Sequence, residues 1–144
     1  GVDGVLPWQA TRSVSRWNAE KRAKGVERWR AIVREAAKQS LRARIPEILT
    51  PVDSRELAAW AAGRTVLVLH PGAAERLSAL PREVLEGAAE VALVVGPEGG
   101  LSPEELDALT AAGARTVSLG DTVLRTSSAG PAALAVLNVR LGRW

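Results

Sequence analysis

The sequence contains no cysteine, no methionine and only one histidine, His70. Without cysteine the chain can form neither disulfides nor thiolate metal sites, and it has no cysteine nucleophile. A single histidine argues against a histidine metal site and against a Ser-His-Asp triad. We therefore expect no bound metal and a reducing, cytoplasmic setting.

Long apolar runs are also missing. None approaches the roughly 20 residues that span a bilayer, and no secretory signal is visible, so we expect no membrane partner. The length of 144 residues and the charged fraction of 24% are typical of one globular domain with a modest core. Because methionine is absent, we expect that Gly1 is not the native start and that the chain is part of a longer protein.

Positive charge is concentrated in one segment. Residues 11–44 contain 11 Lys and Arg against 3 Asp and Glu, a net charge of +8, whereas the remainder carries −5. A basic segment beside an acidic remainder favours a polyanion such as a nucleic acid as the partner. The alternative is a solvated helix face that uses arginine for solubility.

The most informative stretch joins an apolar run to a glycine-rich loop. Val91–Val95 are all apolar, which predicts a short strand buried on both faces. A Gly/Pro loop follows at Gly96–Gly100, and Ser102, Pro103 and Glu105 then form the N-cap, first position and capping box of a helix. This strand–loop–helix order is typical of a ligand site at the carboxyl edge of a parallel sheet.

The loop does not match the pattern that binds dinucleotides. Gly-x-Gly-x-x-Gly presents backbone amides to a pyrophosphate, whereas here the carboxylate of Glu98 lies among the glycines and would repel phosphate. The pattern therefore favours a ligand without phosphate, such as a cationic one. A tight turn without a ligand is the alternative.

The rest of the chain alternates strands with helices, which predicts an α/β fold with a parallel sheet. The predicted strands are Val5–Trp8, Glu47–Leu49, Arg64–His70, Val91–Val95 and Arg115–Gly120. The predicted helices are Glu20–Leu41, one begun by the Asp53/Glu56 capping box and ending at Ala62, Pro103–Ala112, and an alanine-rich helix through Val139. Three loops then follow strands at one sheet edge, at Leu69–Pro71, Gly96–Gly100 and Leu119–Thr126, so we expect them to line one pocket.

Two clusters in the basic segment have residue types suited to RNA. Arg12, Arg16 and Trp17 combine phosphate-binding guanidinium groups with an indole that can stack on a base. The alternative is that Trp17 fills the core and the arginines are merely exposed. Gln39 and Arg42 lie three residues apart and so share a helix face.

Taken together, these motifs resemble the RsmE family, the 16S rRNA (uracil-N3)-methyltransferases of the SPOUT superfamily. The resemblance covers almost the whole chain. It rests on Arg12–Val14, Arg16–Trp17, Ala36–Ser40, Arg42, Val95–Glu105, Leu119–Gly120 and Val123–Thr126.

The resemblance implies a SPOUT-type parallel sheet flanked by helices, with a C-terminal deep trefoil knot. Residues 1–144 would form the methyltransferase domain, without the family's N-terminal PUA-like RNA-binding domain. The implied cofactor is S-adenosylmethionine, the implied substrate is 16S rRNA in the small ribosomal subunit, and the implied assembly is a cytoplasmic homodimer.

The resemblance also implies roles for individual residues. Arg125 would stabilise the uracil oxygens, and Glu98 would contact the sulfonium or handle the proton, unless it caps amides in its own loop. The cofactor would be held by Leu69, His70, Val95, Gly96, Pro97, Glu98, Gly99, Leu119, Gly120, Val123, Leu124 and Thr126. The RNA would be positioned by Arg12, Arg16, Gln39 and Arg42. No role is carried onto Ser127 or Ser128, where the family commonly has Glu-Thr.

Three other functions fit part of the pattern. A different SPOUT enzyme could act on tRNA or on a ribose 2′-hydroxyl with the same fold and cofactor. An RNA-binding module without catalysis would use only the basic segment. A nucleotide-binding α/β domain is disfavoured by Glu98.

Overall fold

Short strands and helices alternate along the chain. The computed structural model describes residues 1–144, apart from the side chain of Ala19. The strands are β1 (Gly4–Val5), β2 (Trp8–Gln9), β3 (Glu47–Ile48), β4 (Val52–Asp53), β5 (Thr65–Leu69), β6 (Val91–Val94) and β7 (Arg115–Val117). The helices are α1 (Ala19–Gln39), α2 (Ser54–Ala61), α3 (Pro103–Ala111) and α4 (Thr126–Arg140).

All described strand pairings are parallel, as predicted. β5 is the central strand of the main sheet, with β6 on one side and β7 on the other, so that Leu67 is opposite Leu93 and Arg115. Two further pairs, β1 with β3 and β2 with β4, join the N-terminal segment to the region before α2. The α/β class predicted from the alternating pattern is confirmed.

Helices cover both faces of the main sheet. On one face, α2 and α3 pack against Val66, Val68 and Val94. On the other face, α4 and two short 3₁₀ turns pack against Leu67 and Val117. Successive residues of β5 therefore enter opposite cores, as the two-residue period of a strand requires.

The predicted burial on both faces fits β5 better than β6. Val66, Leu67 and Val68 of β5 are almost completely buried. In β6 only Val94 is buried and Val91 is half-buried, because β6 forms an edge of the sheet. An apolar run thus correctly indicated a strand without indicating which strand would be central.

Both predicted capping boxes are present. The Glu56 N–H donates to Oδ1 of Asp53 at 2.8 Å, and the Asp53 N–H donates to Oε2 of Glu56 at 2.9 Å. Ser102 and Glu105 form the same reciprocal pair at the start of α3. Gly63, which follows the end of α2, has φ = +73°, a left-handed conformation that glycine adopts at little cost.

One element differs from the prediction. The expected strand Val5–Trp8 is divided into β1 and β2, which pair with different strands, because Pro7 lacks the N–H that a continuous ladder needs. Helix α1 is only partly covered by the rest of the chain: Val33 and Ala37 are buried, but Trp29 is 38% exposed. Among the described residues, none of the helices is both long and apolar enough to cross a membrane.

Candidate functional site

The three loops predicted to converge line a single cavity of about 500 Å³, the first cavity. This volume lies within the roughly 300–1,000 Å³ of small-molecule clefts. Of the residues predicted to hold the cofactor, those found in its lining are Leu69, His70, Val95, Gly96, Pro97, Glu98, Leu119, Gly120, Val123, Leu124 and Thr126. Gly99 lies outside this lining.

The loop after β6 is held by backbone contacts. The N–H of Gly100 donates to the carbonyl of Pro97 at 2.8 Å, which closes a turn around Glu98. At Gly96 a Cβ would lie 2.7 Å from Cδ1 of Leu101, so that a side chain there would displace the packing beneath the cavity. The glycines of this loop therefore have packing roles as well as conformational ones.

The Glu98 side chain is exposed at the rim. Among the hydrogen bonds described for the chain, none ends on the Glu98 carboxylate. The described hydrogen bonds therefore do not support the alternative role of Glu98, in which it caps amides of its own loop. The carboxylate is available to a ligand in the cavity.

The loop after β5 brings the single histidine to the cavity. The His70 N–H donates to the carbonyl of Val117 at 3.0 Å and so extends the β5–β7 ladder. The Gly72 N–H donates to Nδ1 of His70 at 3.2 Å. This contact makes Nδ1 an acceptor, so that in the neutral ring the proton lies on Nε2.

The loop after β7 ends where α4 begins. Its start is anchored by the Ser118 N–H, which donates to the carbonyl of Glu75 at 2.8 Å, and by an Arg76–Asp121 ion pair at 2.8 Å. Arg125 is the N-cap residue of α4, with an extended backbone and no side-chain cap hydrogen bond. Arg125 is exposed and lines the cavity, and its side chain does not cap the helix.

Arg12, predicted to contact RNA, also reaches the first cavity. Its Nη1 donates to the carbonyl of Gly99 at 3.2 Å. A Cβ at Gly99 would lie 3.1 Å from Cβ of Arg12, so Gly99 provides room for this arginine rather than for the cavity. The basic segment and the glycine loop are therefore in direct contact.

The other predicted RNA residues lie apart from the first cavity. Arg16 is exposed and its Nη2 donates to the carbonyl of Thr11 at 3.1 Å. Gln39 is exposed at the end of α1. The guanidinium of Arg42 pairs with Asp3 at 2.8 Å and donates to the carbonyl of Val2, which ties Arg42 to the N-terminal segment.

The buried carboxylate of Glu105 holds the start of the basic segment, at Thr11, in place. Glu105 accepts hydrogen bonds from the Thr11 N–H at 2.7 Å, the Ser102 N–H at 2.9 Å and the Ser54 hydroxyl. Burial raises the pKa of this carboxyl, but the bonds from Ser102, Ser54 and Thr11 outweigh it and leave the pKa below its usual value. The charged form is therefore the one that the folded chain stabilises.

A second cavity of about 290 Å³ adjoins the first, and Pro97 and Glu98 line both. Its other walls include Trp8, Trp17 and Arg22. This cavity is not predicted by the sequence, because its walls come from segments about 90 residues apart. The sequence feature that indicates a binding surface in this region is Trp17 next to Arg16.

Several residues of the first cavity were also missed. They are small or apolar neighbours of the predicted ones, so that proximity in sequence was the available signal. They are Leu101, Val117, Ser118 and Ala129, whereas Pro71, Gly100 and Thr122 lie within the three loops predicted to line the pocket.

The fold and site define a class: an α/β protein with a cavity of small-molecule size at the carboxyl edge of its parallel strands and a basic segment at the rim. The family of RNA methyltransferase domains matches residues 1–138. The chain belongs to this family, and its resemblance to RsmE is confirmed by the relatives described next.

The relatives match the chain along nearly its whole length. Ribosomal RNA small subunit methyltransferase E of Mycobacterium tuberculosis is 49% identical, over 100% of this chain and 56% of the relative. A Legionella pneumophila methyltransferase in complex with the bound cofactor SAM is 34% identical, with a TM-score of 0.87 over 96% of this chain and 56% of that one. Ribosomal RNA small subunit methyltransferase E from Neisseria gonorrhoeae bound to S-adenosyl methionine is 29% identical, with a TM-score of 0.85 over 96% and 55%. The chain thus spans about half the length of the curated relatives it matches.

Proposed function

We propose that this chain is the methyltransferase domain of an S-adenosylmethionine-dependent enzyme that methylates N3 of a uridine in 16S rRNA of the small ribosomal subunit. One observation carries the proposal. The three loops that bear the family-like motifs converge on one cavity, in a fold whose neighbours from Legionella pneumophila and Neisseria gonorrhoeae were solved with this methyl donor.

The residues of the first cavity fit S-adenosylmethionine. Leu69, Leu119 and Leu124 give apolar walls suited to an adenine ring. Gly120, with φ = +153°, lets the backbone follow a path that other residues rarely adopt. The carboxylate of Glu98 suits a sulfonium cation, and the ligand carries no phosphate for that carboxylate to repel.

Bound S-adenosylmethionine would supply a methyl group activated by the positive sulfur. The chain must then provide alignment of the uracil, stabilisation of the negative charge that develops when N3 loses its proton, and an acceptor for that proton. Arg125 is suited to the charge on the uracil oxygens, because its guanidinium is always protonated and is not used to cap α4. Glu98 is the carboxylate at the rim that can take the proton or balance the sulfonium.

Arg12 and Arg16 would position the RNA. Arg12 contacts the carbonyl of Gly99, so a phosphate held there lies beside the methyl-donor loop. The net charge of +8 over residues 11–44 supplies the attraction for the polyanion. Gln39, exposed at the end of α1, would extend the same surface.

The proposal includes a trefoil knot at the C-terminal end. Two contacts support it. β7 follows β6 in sequence but pairs on the opposite side of β5, and Arg140 near the end of α4 donates to the carbonyl of Ser78 at 2.8 Å and to that of Leu80. The last helix therefore packs against the segment that follows β5.

The proposed function also includes assembly of the protein as a cytoplasmic homodimer. Val139 is 63% exposed and Trp144 is 74% exposed, and Leu141 lies between them in sequence. Exposed apolar side chains of this size at one end of the chain are typical of an interaction surface, which supports a second copy as the partner.

Two measurements test the function in the full-length protein. Calorimetric titration with S-adenosylmethionine is expected to give one site per chain. Incubation with small ribosomal subunits that lack the modification is expected to place a methyl group on N3 of one uridine, as mapped by mass spectrometry. Methylation of tRNA or of a ribose would show that the enzyme has a different substrate. Salt-sensitive RNA binding without cofactor binding would show that the chain is an RNA-binding module without catalysis.

A further inference from the structure

The second cavity is built around two indole rings. It lies next to the first cavity, from which it is separated by Pro97 and Glu98. The Trp8 indole N–H donates to the hydroxyl of Ser54 at 3.1 Å, which fixes that ring. The volume of the second cavity, about 290 Å³, is at the lower end for small-molecule clefts and suits a single flat ring system.

The wall formed by the basic loop is held in place by Gln9. The backbone N–H of Trp17 donates to Oε1 of Gln9 at 3.0 Å, and Nε2 of Gln9 donates to the carbonyl of Ser15 at 2.9 Å. The oxygen and the nitrogen of the Gln9 side-chain amide therefore both hold the loop against β2. The loop that carries Trp17 is therefore defined before any ligand binds.

Gly25 provides the room for Trp17. A Cβ at this position of α1 would lie 3.0 Å from Cη2 of the Trp17 ring. Glycine is less favourable than alanine inside a helix, and the close approach of the indole gives a structural reason for its presence here. Trp17 is only half-buried by this contact and lines the second cavity as well.

The charge around the cavity selects the kind of aromatic ligand. Arg22 and Glu98 both line it, and residues 11–44, which include Arg22, carry a net charge of +8. A cationic ligand would be repelled by Arg22 and by this segment, whereas Glu98 belongs to the wall shared with the first cavity. A neutral flat ring whose anionic backbone lies on the side of Arg22, away from Glu98, fits these charges, and a nucleobase with its phosphate is such a group.

We propose that the second cavity binds a nucleobase of the RNA substrate, stacked on Trp17, next to the nucleotide that receives the methyl group. The proposal rests on the function proposed above, since the shared wall of Pro97 and Glu98 makes the two bound groups neighbours. Stacking on a fixed indole positions the strand without consuming a hydrogen bond to a base edge.

The test uses the full-length protein and small ribosomal subunits that lack the modification. Trp17→Ala is expected to raise KM for the subunit about 5- to 150-fold, the range for loss of one stacked base, while the affinity for S-adenosylmethionine stays unchanged. Trp17→Phe keeps an aromatic face and is expected to recover most of this loss. Ser13→Leu, which fills the cavity and leaves the Trp17–Gly25 contact in place, is expected to raise KM as well.

Trp29→Ala is the matched control. This indole lies on α1 in the same basic segment and is absent from the described lining of both cavities, so its removal is expected to leave KM unchanged. An unchanged KM in both Trp17→Ala and Ser13→Leu would overturn the proposal. So would an equal loss in Trp29→Ala, or a cofactor affinity that falls in step with KM. The affinity of the same variants for the subunit, measured by direct binding, tests the role of the second cavity even if the parent protein transfers no methyl group.

Discussion

The backbone N–H of Thr11 donates a 2.7 Å hydrogen bond to Oε1 of Glu105, which lies 94 residues further along the chain. Glu105 is 5% exposed and also accepts from the Ser102 N–H and the Ser54 hydroxyl. Hydrogen bonds to an ionised carboxylate are roughly twice as strong as neutral ones. Glu105 therefore holds the start of the basic loop against the first turn of α3, beside the loop that lines the first cavity.

Glu105→Gln is expected to lower the free energy of unfolding by about 1–3 kcal/mol. The amide has one oxygen and one NH₂ group, so at least one of the donors from Thr11, Ser54 or Ser102 would face another donor. Urea denaturation followed by circular dichroism measures the change. Asp107→Asn, at an exposed position of the same helix, is the control and is expected to have little effect. Equal stability of both variants would show that the carboxylate is dispensable.

The lowered pKa of Glu105 gives this stabilisation a defined pH dependence. The pKa in the folded chain is below the usual value of 4.5, so the carboxylate stabilises the fold above that value. The contribution is lost as the pH falls through the folded pKa, because the unfolded chain then binds the proton first. In urea titrations from pH 7 to pH 3, the difference between the parent protein and Glu105→Gln is expected to narrow below about pH 4.5. A difference that stays constant over this range would exclude the carboxylate as its source.

Features set by neighbouring residues could be predicted from the sequence. The Asp53/Glu56 and Ser102/Glu105 capping boxes depend on residues three apart, and both are present. The meeting of three loops followed from the parallel strands, because their carboxyl ends share one edge of the sheet.

Features set by distant residues could not be predicted in this way. The central place of β5 depends on which strands pair, and the apolar runs of β5 and β6 look alike in sequence. The contact between Glu105 and Thr11, and the second cavity between Trp17 and Pro97, join segments with no local pattern in common. The ion pair of Arg42 with Asp3 likewise joins residues 39 positions apart.

Gly96→Ala and Gly99→Ala are expected to separate cofactor binding from RNA positioning. At Gly96, which lines the first cavity, the new Cβ would lie 2.7 Å from Leu101, so we expect about a 5- to 150-fold loss of S-adenosylmethionine affinity from about 1–3 kcal/mol of overpacking. At Gly99 the Cβ would instead press on Arg12, so we expect the cofactor affinity to be kept and KM for the subunit to rise. Calorimetry and steady-state kinetics measure the two effects. Equal cofactor affinities in both variants would contradict the separation.

Arg125→Ala is expected to keep cofactor binding and to lower kcat by about 10²–10³, the cost of removing one group that stabilises transition-state charge. Arg125 lines the first cavity but its side chain does not cap α4, so we expect the helix end to stay intact in this variant. Single-turnover methyl transfer to small ribosomal subunits measures the loss, and calorimetry checks the cofactor. Arg55→Ala, at an exposed arginine of α2 that is absent from the described lining of both cavities, is the control and should react at the parental rate. If Arg125→Ala also reacts at that rate, the charge on the uracil oxygens must be stabilised by another group, and Arg12 is the other arginine in the described lining of this cavity.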